Sequence, residues 1–263
     1  MGNLSFKVSR FNLLTDIQWS LIESIVDIKA KTGRPRKANL RDVVNGLRYL
    51  ACTGCQWRNI GSAYGNISVL RYYFDKWRCD GTWDLLQKTL VYLCRTEFGS
   101  NPEPTLAAID SQSVKIVSFT KEEKGIDGNK KINGRKRHLV VDKYGLLLYI
   151  AVTAANVYDG SAGSDLLPHL KENYKELKTI TADGAYKKTF ELTAAELGIE
   201  VLISQKPESE KGFVPQKNRW QVERTISWLS FYRRISKDYE KKTENSVVMI
   251  QLAFISMVLN HFL

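Results

Sequence analysis

Histidine and cysteine are scarce in this chain of 263 residues, which has three of the first and four of the second. Cys52, Cys55, Cys79 and Cys94, with no signal peptide ahead of them, read as reduced thiols of a cytoplasmic protein rather than as a disulfide framework. Cys52-x-x-Cys55 has the spacing of half a zinc site. Cys79 and Cys94 make no second close pair and no His lies near them, so packing of Cys52 and Cys55 in a helical core is the preferred reading. His169 and His261 have no motif around them, and His138 alone is a poor metal candidate. A long apolar run is also missing. The best, Ser246–Leu263, contains Gln251, Asn260 and His261 and is near the lower length limit for a bilayer span, so it reads as a core helix and no membrane partner is expected. There is no internal repeat, and the only compositionally biased segment is Lys121–Lys131.

Acidic residues are in deficit: 28 Asp and Glu against 39 Lys and Arg give a formal charge of +11. Such an excess gains affinity for a polyanion by displacing phosphate counterions. Its distribution says more. Residues 28–78 carry a local +9, residues 115–143 carry +5 and residues 217–242 carry +5, so the remainder is net acidic. A solubilising surface does not require that segregation, and nucleic acid is the favoured partner. An apolar fraction of 43% is enough for a packed core and excludes a disordered chain.

The first hundred residues read as helical. Asp16–Ile28 puts Trp19, Ile22 and Val26 on one stripe, and Asn39 is placed to cap Leu40–Cys52, where Val43, Val44, Leu47 and Leu50 recur at helical spacing. Trp57–Tyr64, a glycine turn and Ile67–Arg78 form either a helix-turn-helix or part of a plain helical bundle, with Leu70, Phe74 and Trp77 as core. Thr82 opens a further helix. Asn101-Pro102-Glu103-Pro104 breaks the pattern and divides a helical domain, 1–100, from a second domain, 105–263. Beyond it, Thr105–Asp110 is a short strand from which Ser111–Phe119 can pair back, and Lys121–Gly134 reads as a loop. Arg137–Asp142 and Leu146–Thr153 form a hairpin. Ser161–Tyr174 is a helix, Lys178–Ala182 a strand, Thr189–Leu197 a helix and Glu200–Ser204 a strand. Gly212–Pro215 is a loop before helices near Lys217–Phe231 and Glu244–Phe262. The order is β-β-β-α-β-α-β-α-α, an α/β class with an all-helical domain ahead of it.

Three acids stand at telling places. Asp110 ends the apolar run Ala108-Ile109-Asp110-Ser111, Asp183 lies in Thr181-Ala182-Asp183-Gly184-Ala185-Tyr186, and Glu223 lies in Arg219-Trp220-Gln221-Val222-Glu223-Arg224. Singly each has an ordinary explanation: Asp is a common turn residue after a strand, and Arg219 to Glu223 is a helix-supporting i, i+4 pair. Together, with Asp-Gly-x-Tyr at the second acid, Trp-x-Val-Glu-Arg-Thr-x-x-Trp-Leu then Arg233-Arg234 at the third, and Thr53-Gly54-Cys55-Gln56-Trp57-Arg58 in the helical region, the strings resemble the DDE transposases of bacterial insertion sequences, specifically the insertion sequence 5 family. The resemblance covers nearly the whole chain.

That resemblance implies a ribonuclease H-like catalytic domain holding two Mg²⁺ ions, with Mn²⁺ able to substitute, through Asp110, Asp183 and Glu223. Asp110 would bridge the ions, and Asp183 and Glu223 would each complete one shell. It further implies binding of terminal inverted repeats, cleavage at the element ends and joining of 3′-hydroxyls to target DNA, by a homodimer on double-stranded DNA in the bacterial cytoplasm at the nucleoid. The tyrosine-to-lysine pattern of the related insertion sequence 4 proteins is half kept: Arg219 and Glu223 fit, but Gln216 and Ser230 stand where Tyr and Lys would be. With 39 residues between Asp183 and Glu223 there is no room for a large β insertion. Expected DNA contacts are Arg34, Arg36 and Lys37 in a basic arm, Arg58, Ser68, Arg71, Tyr72 and Lys76 around the candidate recognition helix, and Arg135, Lys136, Arg137 and His138 beside Asp110. Tyr186 and Lys187, then Arg219, Trp220, Arg224, Arg233 and Arg234, complete the set, with Trp228 turned toward the core. A structure-selective nuclease and a noncatalytic DNA-binding regulator are the alternatives; the first should lack an end-binding domain and the second should have lost an acid.

Overall fold

The computed structural model describes residues 11–27, 36–120, 122–204 and 220–262. Expectations for Arg34, Arg219 and the loop Gly212–Pro215 fall outside them. The chain forms two compact units: one takes residues 1–90, 229–236 and 244–263, the other 91–228 and 237–243. Sequence reading puts the division at Asn101–Pro104 and leaves the carboxyl-terminal helix with the second domain, whereas that helix packs in the first unit.

The first unit is helical. Helix α1 (Asp16–Val26) opens with a capping box in which Thr15 and Gln18 satisfy each other's backbone N–H groups. Asn39 caps α2 (Leu40–Thr53) by accepting from Arg41 N–H, and Gly54 ends that helix at φ 67°. Asn66 caps α3 (Ile67–Cys79), which buries Leu70, Phe74 and Trp77 as its spacing predicts. Between them, the helix predicted at Trp57–Tyr64 does not form. Gly61 interrupts it and Gly65, at φ 93°, stops it, leaving two 3-10 turns, Trp57–Asn59 and Ser62–Tyr64. Helix α4 spans Thr82–Glu97. The later α8 (Thr243–Leu259) is buried from Val248 to Leu259 with no polar stripe, as befits a helix at the centre of a bundle. Three polar contacts tie it in: Gln251 donates to Asp84 at 2.7 Å, the Leu259 carbonyl accepts from Gln18 at 2.7 Å, and Asn260 just beyond it accepts from Arg48 at 3.0 Å. Among the described residues no helix is long and apolar enough to cross a membrane.

The second unit is a mixed sheet flanked by helices: β1 (Leu106–Lys115), β2 (Gly125–Asp127), β3 (Ile132–Asp142), β4 (Leu147–Ala154), α5 (Asp159–Asn173), β5 (Thr179–Ala182), α6 (Thr189–Glu196), β6 (Glu200–Ile203) and α7 (Trp220–Leu229). Strand β1 is central. It pairs antiparallel with β3 and parallel with β5, β6 extends the parallel side, and β2 and β4 share the outer edge of β3. This strand order is the ribonuclease H-like arrangement. Two expectations are corrected. The chain does not turn back at Asp110-Ser111: β1 runs straight through, because β3 offers it an unbroken ladder from Ala107↔Asp142 to Lys115↔Gly134. The expected loop Lys121–Gly134 contains β2 and the start of β3, paired with each other from Gly125↔Gly134 to Asp127↔Ile132.

Gly134 is required by that ladder. A Cβ there would lie 1.9 Å from the Val114 carbonyl oxygen, a backbone atom with no room to retreat. Gly128, by contrast, faces open space. Gly134→Ala is therefore expected to lower stability by ~1–3 kcal/mol through overpacking, with Gly128→Ala near wild type, as read by urea denaturation. Equal midpoints for the two variants would show that the strand pair yields at little cost.

Candidate active site

The parallel pairing of β1 with β5 is what brings two acids together. Leu106↔Thr179, Ala107↔Ile180 and Ala108↔Thr181 are in register. Continued two residues beyond that ladder, the same register leads to Asp110 on β1 and to Asp183, one residue past the end of β5, and Tyr186 feels the charge of both. Each carboxylate is half-buried and oriented by the backbone: Asp110 accepts from Ser111 N–H at 2.7 Å, and Asp183 accepts from Ala185 N–H at 2.9 Å, capping the 3-10 turn Gly184–Tyr186.

Tyr186 lies beneath the two acids and is fully buried, so the expected DNA contact is corrected: the aromatic of Asp-Gly-x-Tyr supports the turn from inside. Burial pushes its hydroxyl well above the usual tyrosine range, and the negative charges of Asp159, Asp110 and Asp183 push the same way. Small residues on α5 permit this packing. A Cβ on Gly163 would meet Phe190 and Tyr186 at 2.7–2.9 Å, and one on Gly160 would be 3.2 Å from the Ala185 carbonyl. Lys187 stays exposed. Asp159, at the start of α5, was not singled out in the sequence; nothing marks it there beyond its place at a helix start.

The run Arg135-Lys136-Arg137-His138 is not a phosphate-binding surface. It lies on β3, which is flanked by strands on both sides, and all four residues are buried. Arg135 donates to Asp238 at 3.2 Å and to the carbonyls of Glu122, Glu123, Glu240 and Lys241 at 2.7–3.2 Å. Lys136 pairs with Asp159 at 3.0 Å and donates to the Val157 carbonyl at 2.8 Å. Arg137, whose pKa burial lowers to about 10, donates to Gln112 at 3.3 Å. His138 shares a hydrogen bond with Thr153 at 3.0 Å, and burial holds its imidazole well below its ordinary value against the opposing pull of Asp159.

Helix α7 is anchored at the β3–β4 turn. Arg224 donates to the Tyr144 carbonyl at 2.7 Å, and Thr225 donates to that of Gly145 at 2.7 Å. The Arg224 guanidinium is also sandwiched between the indoles of Trp220 and Trp228, 4.2 and 4.4 Å from their centroids. This corrects two expectations: Arg224 is engaged inside the protein, and Trp228 is half-buried against it rather than core. The i, i+4, i+8 spacing that puts all three on one face was visible in the sequence. Glu223 is half-buried on the same helix. Among the described residues, no three His, Cys, Asp or Glu side chains come close enough together to hold a metal ion, so Glu223 does not close a set with Asp110 and Asp183. The four cysteines are free, and burial raises the Cys52 thiol to about 11 and the Cys94 thiol to about 12.

In the helical unit the expected contacts separate. Lys37, Arg58, Ser68, Arg71, Tyr72 and Arg233 are exposed, with the Arg71 guanidinium 5.4 Å from the centre of the Trp57 ring. Lys76 pairs with Asp80 at 2.9 Å, and Arg36 makes a two-pronged pair with Asp27 at 2.6 and 2.9 Å. Arg234 is buried and directed at the Cys55 carbonyl at 3.4 Å, which removes it from the outer surface.

Two measurements follow from this framework. The folded His138 pKa is depressed, so the unfolded chain takes up a proton first as pH falls below about 6.5. Stability should drop by about 2 kcal/mol between pH 7 and pH 5 on this account, and His138→Gln should flatten that part of the profile. Unchanged slopes in the two proteins would show that His138 is not held neutral. Arg224→Ala should cost ~2 kcal/mol, from one hydrogen bond and two ring stacks. Arg224→Lys, lacking the planar guanidinium, should restore less than half of it in melts followed by tryptophan fluorescence.

The chain matches the family model "Transposase DDE domain" over residues 101–259, and that described as a putative transposase of the IS4/5 family over residues 14–87. A putative transposase for insertion sequence element IS402 of Burkholderia cepacia is 30% identical over 119 residues, 42% of this chain and 56% of that relative, so the match spans little more than half of the relative's length. Among solved structures, the Mos1 mariner paired-end complex with Mn has 12% identity over 70% of this chain and 65% of that chain, with a TM-score of 0.27. The Mos1 transposase paired-end complex with left transposon end has 10% identity over 81% of this chain and 83% of that chain, with a TM-score of 0.26. The DDE-domain match alone takes in more than half of the sequence, and the chain belongs to the transposase DDE domain family.

Proposed function

We propose that this transposase binds the terminal inverted repeats of its insertion sequence, cleaves at the element ends and joins the resulting 3′-hydroxyls to target DNA. The observation that supports the reading is the register of β1 on β5, which leads just past Ala108↔Thr181 to Asp110 and Asp183, each accepting from a backbone N–H and both acting on the buried Tyr186. Two fixed carboxylates of this kind suit hard divalent ions such as Mg²⁺ or Mn²⁺. Asp110 would be the shared ligand, Asp183 would complete one shell, and Glu223 would complete the other on approach of α7. Ions held there would activate the attacking water or 3′-hydroxyl and stabilise the departing oxygen.

Recognition of the ends belongs, in this proposal, to the helical unit. Helix α3 buries Leu70, Phe74 and Trp77 while Ser68, Arg71 and Tyr72 remain exposed on its opposite side. One face is thus committed to packing and the other is available to a groove. Lys37, Arg58 and Arg233 are further exposed cations in that unit and would contact phosphates. Synapsis of two ends by a homodimer, in the bacterial cytoplasm at the nucleoid, completes the proposal.

Asp110→Asn, Asp183→Asn and Glu223→Gln should each reduce strand transfer by about a thousandfold or more, equivalent to about 4 kcal/mol of transition-state stabilisation. Binding of the terminal repeats in a gel shift should change by no more than about twofold, because the acids are asked to hold metal rather than DNA. Near-normal strand transfer by any one variant, in Mg²⁺ or Mn²⁺, would remove that residue from the catalytic set.

A further inference from the structure

We propose a second nucleic-acid contact on the catalytic unit: a lysine-lined cleft at the carboxyl-terminal end of β1 that takes backbone phosphates of the bound DNA beyond the cleavage site. The cleft has a volume of about 330 Å³ and is walled by the end of β1, the approach to β2 and the start of β3, with Lys115, Lys124 and Lys131 around it. Among the described residues no acid lines it; the exposed Glu122 and Glu123, the nearest acids in sequence, are not part of its wall. All three lysines are exposed, and among the described residues none of their ammonium groups has an ion pair or a hydrogen bond. Like charges gathered round one hollow repel each other, and an anion seated among them would reverse that cost.

A nucleic-acid strand fits this place better than a small anion for two reasons. Phe119, next in the chain to Ser118 of the lining, is 62% exposed, an aromatic face of the kind on which a base lies while lysines follow the backbone. A neighbour of the cleft also reaches toward the proposed catalytic acids. Lys130 comes within 3.5 Å of the Ser111 carbonyl, next to Asp110, while Lys115 lies five residues further along β1, about 17 Å at ~3.4 Å per residue and, at that odd spacing, on the opposite face of the sheet. The cleft therefore takes flanking DNA rather than the phosphate that is cut. This inference rests on the reading of Asp110 as a catalytic acid of a DNA-cutting enzyme.

The test uses the full chain with Lys115→Ala/Lys131→Ala, against Lys175→Ala/Lys178→Ala as a charge-matched control at two other exposed lysines. The dissociation constant for random-sequence duplex DNA is measured by fluorescence anisotropy across a salt series, with melting curves to confirm that both variants fold. The cleft variant should lose about 2 from the slope of log K against log salt, about 0.9 for each phosphate contact removed. Its affinity near physiological salt should fall about tenfold or more, while the control keeps the wild-type slope within about 0.5. Identical slopes for the two variants overturn the proposal. So does a cleft variant that loses binding of inorganic phosphate, followed by phosphorus NMR, yet keeps its DNA slope, because the cleft would then be a free-anion site. Asp110→Asn should show the wild-type slope in this assay, so failure of the catalytic reading in strand transfer and failure of the cleft in DNA binding are separate results.

Discussion

The ladder that holds β1 on both edges is the constraint on which the rest of the second unit depends. On one side it runs antiparallel to β3 from Ala107 to Lys115, and on the other parallel to β5 from Leu106 to Ala108. A slip of one residue would turn Asp110 to the opposite face of the sheet and separate it from Asp183. Buried charge guards against that slip. Asp142 at one end of β3 is paired with Arg95, and Arg135 near the other end is paired with Asp238. Either guanidinium left without its partner in the interior would cost about 3–5 kcal/mol. These pairs add little to net stability compared with apolar replacements, but they penalise every register except one.

Much of this architecture was legible because it is local. The change of hydrophobic period after Pro104, the cap Asn39, and the apolar runs ending at Asp110 and Asp183 are all properties of a few adjacent residues. What was not legible depends on partners far along the chain. Ser111-Gln112-Ser113 reads as a break after an apolar strand, yet β3 supplies hydrogen bonds straight through it. Arg135-Lys136-Arg137-His138 reads as a surface run because charge is normally exposed. Its partners include Asp238, 103 residues away, and Asp159 at the head of a helix. No local pattern announces that four polar residues in a row will be buried.

Helix α7 shows a different limit. The spacing of Trp220, Arg224 and Trp228 defines one face, but periodicity alone does not say whether an aromatic on that face meets an apolar core or a cation. The answer is the cation, and it ties the helix to the turn at Tyr144-Gly145. Gly145 has φ 83° and its missing Cβ is what lets Thr225 come near; a methyl there would lie 2.7 Å from the threonine hydroxyl. The glycine, the arginine and the two indoles act together as one clamp on the helix that bears Glu223. The orientation of that acid is therefore set by residues that carry no catalytic chemistry.

The same distinction between charge that is spent inside and charge that faces out changes how the net +11 should be understood. In the block 115–143 the most conspicuous cations, Arg135 to Arg137, are consumed in holding β3 together. In the first block Arg48 is buried against Asn260, and Arg36 is committed to Asp27. The last block gives up Arg224 and Arg234 to internal carbonyls. What remains for a polyanion among the described residues of these blocks is a thinner set of exposed cations, among them Lys37, Arg58 and Arg71 with Arg233 in the helical unit, and Lys115, Lys124, Lys130, Lys131, Lys237, Lys241 and Lys242 in the sheet unit. Arginine, planar and rich in directed donors, is the side chain that a fold can best satisfy internally, whereas lysine is a compact charge that prefers water or phosphate. The basic runs in this sequence therefore have two functions: their arginines mainly build the sheet and the helix clamp, and their lysines supply most of the field that DNA would meet at the sheet unit.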